Sequence, residues 1–366
     1  MKKIIITLIL VLFFLGIQGC VTPEEDDDDL IPQDEYSNPV WEPVLADPAV
    51  IRHEGTFYAY GTQDYGYWGG DDYGVRYTPI LQSENLVDWT YAGSVFTLQT
   101  RPIWGTANAG LWAPDIVKIG DTFNLYYSLS TWGDPNPGIG VATAPHPLGP
   151  WTDHGEVLRS LSIGVNNSID PAVFVADGNV YMIWGSFRGI YGVELTNDGL
   201  ALKDGINTHN TKVLLAGLDT STSWNAATYE APYVIFKDNY YYMFLSSGTC
   251  CDGYNSTYNV RVGRSSSPLG PYIGHDDRSM LGTYRGYQVV IGSSFFAGPG
   301  HNSVAIDDDG NYWLIYHAFD KSEPASYGNS PRRSMLIDLL IWNENGWPSV
   351  QGTMPSNTKR LSPIID

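Results

Sequence analysis

Charge is scarce in this chain of 366 residues. Asp, Glu, Lys and Arg make up only 16%, and the basic half is the thinner one: 20 Lys and Arg face 40 Asp and Glu, for a net charge of −20. So few cations cannot neutralise a phosphate backbone, which excludes nucleic acid as a partner, and a polyanionic substrate is excluded on the same ground. Cysteine is nearly absent, at three residues, and no CxxC or Cys/His spacing outlines a zinc site. A Gly-rich phosphate loop, a Lys/Arg clamp and a GxSxG elbow are all missing, so phosphoryl transfer and serine hydrolysis lack their parts. What is plentiful is apolar: 43% hydrophobic residues, with 25 Tyr, 12 Trp and 39 Gly. That is ample for a sizeable core. It suits a β protein handling a neutral, ring-shaped ligand, or simply a β-rich interior.

The first residues read as an address. Lys2 and Lys3 precede an apolar run from Ile4 to Gly16, too short for a stable membrane span. The run ends in Ile17-Gln18-Gly19-Cys20, which resembles the lipobox of bacterial lipoproteins. Residues 1–19 are thus expected to be a signal peptide and Cys20 a lipidated N-terminus. Residues 20–40 then form an acidic, disordered tether, with eight of the forty acids between positions 24 and 35. An acidic run this close to the lipid resembles the export signal of Bacteroidetes surface lipoproteins, which implies an outer-membrane lipoprotein displayed at the cell surface. The other two cysteines, Cys250 and Cys251, are adjacent, so either two packed thiols or a vicinal disulfide is open.

The remainder repeats itself. Asp47-Pro48-Ala49-Val50, Ala113-Pro114-Asp115-Ile116, Asp170-Pro171-Ala172-Val173, Ala231-Pro232-Tyr233-Val234 and His301-Asn302-Ser303-Val304 each lead into a turn and a strand dense in Tyr, Phe and Trp. The starts lie 66, 57, 61 and 70 residues apart. Alternating segments with small residues follow in two units, at 138–144 and 259–265. Each unit therefore predicts about four strands, and no capped helix of ten or more residues interrupts them. Five such units over residues 41–366 predict an all-β, five-bladed β-propeller.

The first strand of each blade lines the central channel, so the five repeat starts meet at one mouth. They carry Asp47, Ala113, Asp170, Ala231 and His301, with Glu230 immediately before the fourth. An Asp before Pro can simply close an Asx turn. Three acids on one axis of a charge-poor chain point instead to a site. Two carboxylates across a neutral ligand are what glycosidic cleavage requires, one protonated and one ionised. A third carboxylate nearby raises the acid's pKa by repulsion. Asp115 lies two residues along its strand, facing the same way as Ala113, and reads as structural or as a distant substrate contact. Trp112 stands before the second start as Glu230 stands before the fourth, and offers an aromatic face to a furanose or to the core.

The ordered motifs DPAV, LWAPDI, IDPAVF, YEAPYV and GPGHNSV resemble glycoside hydrolase family 43 over essentially all of residues 41–366. WGSF at 184–187 and NSTYNVRVGRS at 255–265 resemble its endo-1,5-α-L-arabinanases. The resemblance implies inverting hydrolysis of α-1,5-linked arabinan or arabino-oligosaccharides by a monomer. Asp47 would be the general base, Glu230 the general acid, and Asp170 the residue that orients the acid and keeps its pKa raised. Base and acid carboxyls in inverting enzymes stand roughly 6.5–9.5 Å apart, which leaves room for the attacking water. Asn167 and Ser186 match polar positions that bind sugar hydroxyls, and Trp112 would stack on a sugar. His301 would face the channel and help hold a hydrated calcium ion, acting largely through water.

Two departures stand out. Ala46 replaces the histidine that commonly precedes the base. The loop from Gln63 to Tyr77, with Tyr67 and Trp68, is longer and more aromatic than usual. It adds a subsite wall or partly blocks the groove, and blockage would favour chain-end attack. The rival readings are an exo-acting α-L-arabinofuranosidase or β-xylosidase of the same family, and a non-catalytic glycan-binding propeller.

Overall fold

The computed structural model describes residues 34–64, 74–218, 229–327 and 330–366. The expected signal peptide, Cys20 and the acidic run lie outside these residues, as do Tyr67 and Trp68.

Among the described residues, five antiparallel sheets of three or four strands follow one another. Their first strands are Ala49–His53, Gly110–Ile119, Ala172–Ala176, Glu230–Lys237 and Phe296–Ile306. Each packs against the next, and the last packs back on the first, closing a ring of five blades. The first four blades have four strands each in simple sequential order.

The second strands explain the aromatic wealth of the sequence. Successive side chains of a strand point to opposite faces, and here both faces are covered by neighbouring blades. Tyr58 and Tyr60 enter the cluster shared with the second blade, while Phe57 and Ala59 enter the one shared with the fifth. Tyr242 and Phe244 pack toward the fifth blade, and Tyr241, Met243 and Leu245 toward the third. Burial on both sides is why these strands read as unbroken apolar runs rather than as alternating ones.

The fifth blade departs from the pattern. Its own sheet has three strands, Phe296–Ile306, Tyr312–Asp320 and Ser334–Leu339. The outer edge is taken by the start of the chain: Val40 N–H donates to Met335 O at 2.9 Å, Met335 N–H to Trp41 O at 3.1 Å, and Leu45 N–H to Arg333 O at 3.0 Å. Just before this, Glu35–Tyr36 pairs with Arg360–Leu361. Tyr36 is buried and donates its hydroxyl to Ile337 O at 3.1 Å. Glu35, Tyr36 and Val40, within the segment expected as a tether, thus pair with strands late in the chain.

Candidate active site

All five repeat starts adopt left-handed backbone. The φ angles are 59° at Asp47, 45° at Ala113, 58° at Asp170, 52° at Ala231 and 48° at His301. This region is costly for residues with a Cβ, and such strain persists only where surrounding structure enforces it.

The enforcement is visible as a repeated hydrogen bond. A polar side chain near the end of each second strand takes the backbone N–H of the next repeat start. Thr62 Oγ1 accepts from Ala113 N–H at 2.7 Å, Ser128 Oγ from Asp170 at 2.9 Å, and Ser246 Oγ from His301 at 2.9 Å. His317 Nδ1 accepts from Asp47 N–H at 3.1 Å, which joins the fifth blade to the first. The third blade breaks the rule. Ser186, the equivalent residue, donates instead to Glu230 Oε2 at 2.8 Å, and Asp170 Oδ2 takes the orphaned Ala231 N–H at 3.2 Å. The exception falls on the expected general acid.

Asp47, Asp170 and Glu230 are all at least nine-tenths buried, with exposures of 7%, 5% and 7%, and their environments push them apart. Burial alone would raise Asp47. The Arg333 guanidinium at 3.0 Å and His301 Nδ1 at 3.2 Å outweigh it and hold the carboxyl well below its usual range. Thr62 also donates to Asp47 Oδ2. Glu230 is pushed up to about 7, first by burial and then by the Asp47 charge, while hydrogen bonds from Tyr258 and Ser186 and the charge of Arg333 pull it back. Asp170 is also raised well above normal, by burial and by the charges of Glu230 and Asp47. One ionised carboxylate thus faces two that share a need for a proton, the division of labour that general acid–base chemistry demands.

Asp47, Asp170, Glu230 and His301 lie near one another here. Asp170 reaches the acid's strand through Ala231 N–H, and the side chain that donates to the Glu230 carboxyl is Ser186. Asn167 donates to Ser186 Oγ at 2.9 Å and Ser186 O at 3.1 Å. Of the two residues expected to meet sugar hydroxyls, Ser186 donates to the acid and Asn167 donates to Ser186. Asp115 is pushed up to about 7 by burial, and its Oδ2 accepts Val173 N–H at 2.6 Å. It ties the second blade to the third, as a structural residue would. Trp112 is half-buried, its indole lying so close to Gly110 that a Cβ there would fall 2.5 Å from Nε1.

Several functional neighbours were missed in the sequence. Arg333 and His317 hold Asp47. Trp132, 76% exposed, lies 5.6 Å from Trp112 between ring centroids and extends its aromatic surface outward. His317 and Thr62 were findable from the repeat column that holds Ser128, Ser186 and Ser246. Beside the base, a cavity of about 90 Å³ is lined by Val44, Ala46, Thr62, Gln63, Asp64, Ser330, Pro331 and Arg333. Ala46, which replaces a histidine, forms part of that wall. Cys250 and Cys251 form a vicinal disulfide.

Among the described residues, no three His, Cys, Asp or Glu side chains form a direct cage for a metal. The inner strand of the fifth blade nevertheless leaves Asn302 Oδ1 and Nδ2 and Ser303 Oγ buried without partners beside His301. Such a donor set, rich in oxygen and short of charge, fits a hard cation that keeps its water.

Comparison with known proteins agrees with this geometry. The family model "Glycosyl hydrolases family 43" matches residues 36–348. The extracellular endo-α-(1→5)-L-arabinanase 1 of Bacillus subtilis is 34% identical over 84% of this chain and 87% of its own length. An extracellular exo-α-(1→5)-L-arabinofuranosidase of Cellvibrio japonicus is 33% identical, covering 83% of this chain and 85% of its own. The solved structure of Cellvibrio cellulosa α-L-arabinanase complexed with arabinohexaose superposes with a TM-score of 0.70 at 30% identity, over 84% of this chain and 96% of that one.

Proposed function

Since the chain belongs to glycosyl hydrolases family 43, we propose that this glycoside hydrolase cleaves α-1,5-linked arabinan within the chain, by single displacement with inversion. The carrying observation is the opposed setting of two buried carboxyls: Asp47 lies 3.0 Å from the Arg333 guanidinium and 3.2 Å from His301, which favours its ionised form, while Glu230 is buried with a hydrogen bond from Ser186, and burial pushes it up.

Thr62 has one proton and spends it on Asp47 Oδ2, because its oxygen already accepts Ala113 N–H. The second lone pair of Oδ2 is then free for a water molecule. Asp47 takes a proton from that water as its oxygen bonds to the anomeric carbon. The glycosidic C–O bond breaks, and Glu230 delivers its proton to the departing sugar oxygen. Each turnover leaves Asp47 protonated and Glu230 ionised, and solvent exchange restores both.

Arabinan or arabino-oligosaccharide as substrate is supported by the arabinanase and arabinofuranosidase relatives. Trp112, Asn167 and Ser186 would contribute to the sugar site. A calcium ion held through water by His301, with Asn302 and Ser303 beside it, would supply a fixed positive charge. The reading includes a monomer tethered to the outer membrane through Cys20. The exo alternative rests on the Cellvibrio japonicus relative, which is as similar to this chain as the endo one.

Product lengths from linear arabinan separate the two. Early mixed oligomers support endo action, and a single product from the first minutes overturns it. Glu230→Gln should lower arabinan hydrolysis by about a hundredfold or more. Wild-type activity in that variant would remove Glu230 from the acid's role.

A further inference from the structure

The cavity beside the base carries polar groups that the hydrolysis does not use. Thr62 and Arg333 line it and also hold Asp47, so the recess adjoins the catalytic carboxylate. Three lining side chains keep a polar atom buried and without a hydrogen-bond partner among the described residues: Gln63 Nε2, Asp64 Oδ2 and Arg333 Nε. Gln63 and Asp64 are themselves more than nine-tenths buried. Buried polar groups are nearly always paired in native proteins, so three unpaired around one space point to something that fills it.

Each of the three is held by its other contacts. Gln63 Oε1 accepts Leu111 N–H at 3.2 Å, which leaves the amide nitrogen over. Asp64 Oδ1 accepts from Ser330 Oγ at 2.5 Å, across the seam between the first and fifth blades. Its backbone pairs with Arg76 in both directions, at 3.1 and 3.0 Å. Arg333 spends Nη1 on Asp47 at 3.0 Å. The set selects by charge. A cation would meet the guanidinium and the amide protons of Gln63, and an anion would meet Asp64 and Asp47. Two donors and an acceptor suit a neutral group that both accepts and donates, which is a hydroxyl. The cavity, about 90 Å³, holds several waters, whereas a benzene ring occupies one of about 150 Å³. It therefore suits a hydroxymethyl with a neighbouring hydroxyl better than a whole sugar ring. Val44, Ala46 and Pro331 give it an apolar wall for the carbon.

We propose that this recess is a side-branch subsite, which takes the free hydroxymethyl end of an arabinofuranosyl unit carried on the arabinan backbone. The proposal rests on the reading above, cleavage within an α-1,5-linked chain. In such a backbone O5 of every interior unit is tied up in linkage. Free hydroxymethyl groups then belong to branch units and to the chain end, and cleavage within the chain leaves the end outside the site. The branch hydroxyl donates to Asp64 Oδ2 and accepts from Gln63 Nε2, and Arg333 Nε serves its neighbour. Ala46, in place of the histidine that commonly precedes the base, is the wall where a larger side chain would fill the space.

Asp64→Asn tests this on two polymers, linear arabinan and arabinan carrying single arabinofuranosyl branches. The variant keeps an oxygen for Ser330 Oγ and turns the acceptor of the recess into a donor. Wild type should cleave the branched polymer with kcat/KM within about threefold of the linear one. Asp64→Asn should lower kcat/KM on branched arabinan about tenfold or more, mostly through KM, and stay within about twofold on linear arabinan. Ala46→Val fills the recess from the opposite wall and should give the same split. It carries the test alone should Asp64→Asn not fold. Wild type that cleaves linear but not branched arabinan would overturn the proposal. So would equal losses on both polymers, which would place the backbone in the recess, and so would no loss on either, which would leave it to water. Wild type inactive on both polymers would strike the arabinan reading itself, and the branch subsite with it.

Discussion

At the scale of single residues, the sharpest dependence is that of Asp47 on Arg333. A carboxylate this deeply buried would stay neutral without a cation. The guanidinium at 3.0 Å reverses that preference. Arg333→Met keeps most of the stem's packing and removes the charge. The acid limb of the pH profile should then move up by at least one pH unit, and activity at pH 6 should fall more than activity at pH 8. A rate loss uniform across pH would contradict this account. The sequence disclosed Asp47, Asp170, Glu230 and His301 because each sits at or beside a repeated position, where alignment alone brings them to one axis. Arg333 belongs to no repeated position and reaches Asp47 across the closure of the ring, 286 residues away. Nothing local marks such a contact. Trp132 was hidden for another reason: it stands in a turn, where an aromatic has no period to obey.

At the scale of elements, the repeat is a strand plus a cap, and a serine column marks part of the cap set. Ser128 and Ser246 share a letter with Ser186, but Thr62 and His317 differ in type, and each of the four takes the N–H of a repeat start. Removing one leaves a buried donor unsatisfied, which costs about 1–3 kcal/mol. Thr62→Val and Ser246→Ala should both lower stability by that amount in urea unfolding. They should differ in catalysis, because Thr62 alone of the pair also donates to the base. The valine variant should lose about tenfold in kcat, and Ser246→Ala less than about threefold. Equal kinetic losses would mean that the caps act only by holding backbone. The blade strands themselves were plain in the sequence, since burial on both faces wrote continuous apolar runs. The outer edge of the fifth blade was not, because its partner comes from residues 40–45, at the opposite end of the chain.

At the scale of the whole molecule, the site is a standing cost to stability, and its pH dependence gives the sign. Glu230 is pushed up to about 7 from an unfolded value near 4.3. Between those values the folded chain binds the extra proton, so this contribution is fully present below about pH 4 and is lost as pH rises to about 7. Asp115 and Asp170 act in the same direction, the first over the same window. His317 is depressed to about 4 by burial. It opposes them, making the fold more stable as pH rises from about 4 to 6.5. The two effects mask each other in wild-type melting, so the difference between variants is the proper measure. Glu230→Gln removes one raised carboxyl and leaves His317 in place. At pH 8 it should melt several degrees above wild type, and at pH 5 the gap should shrink toward zero. A gap of the same size at both pH values would show that the gain is packing rather than charge. A gap that closes would show that the fold gives up stability at neutral pH to keep a carboxyl where it can deliver a proton.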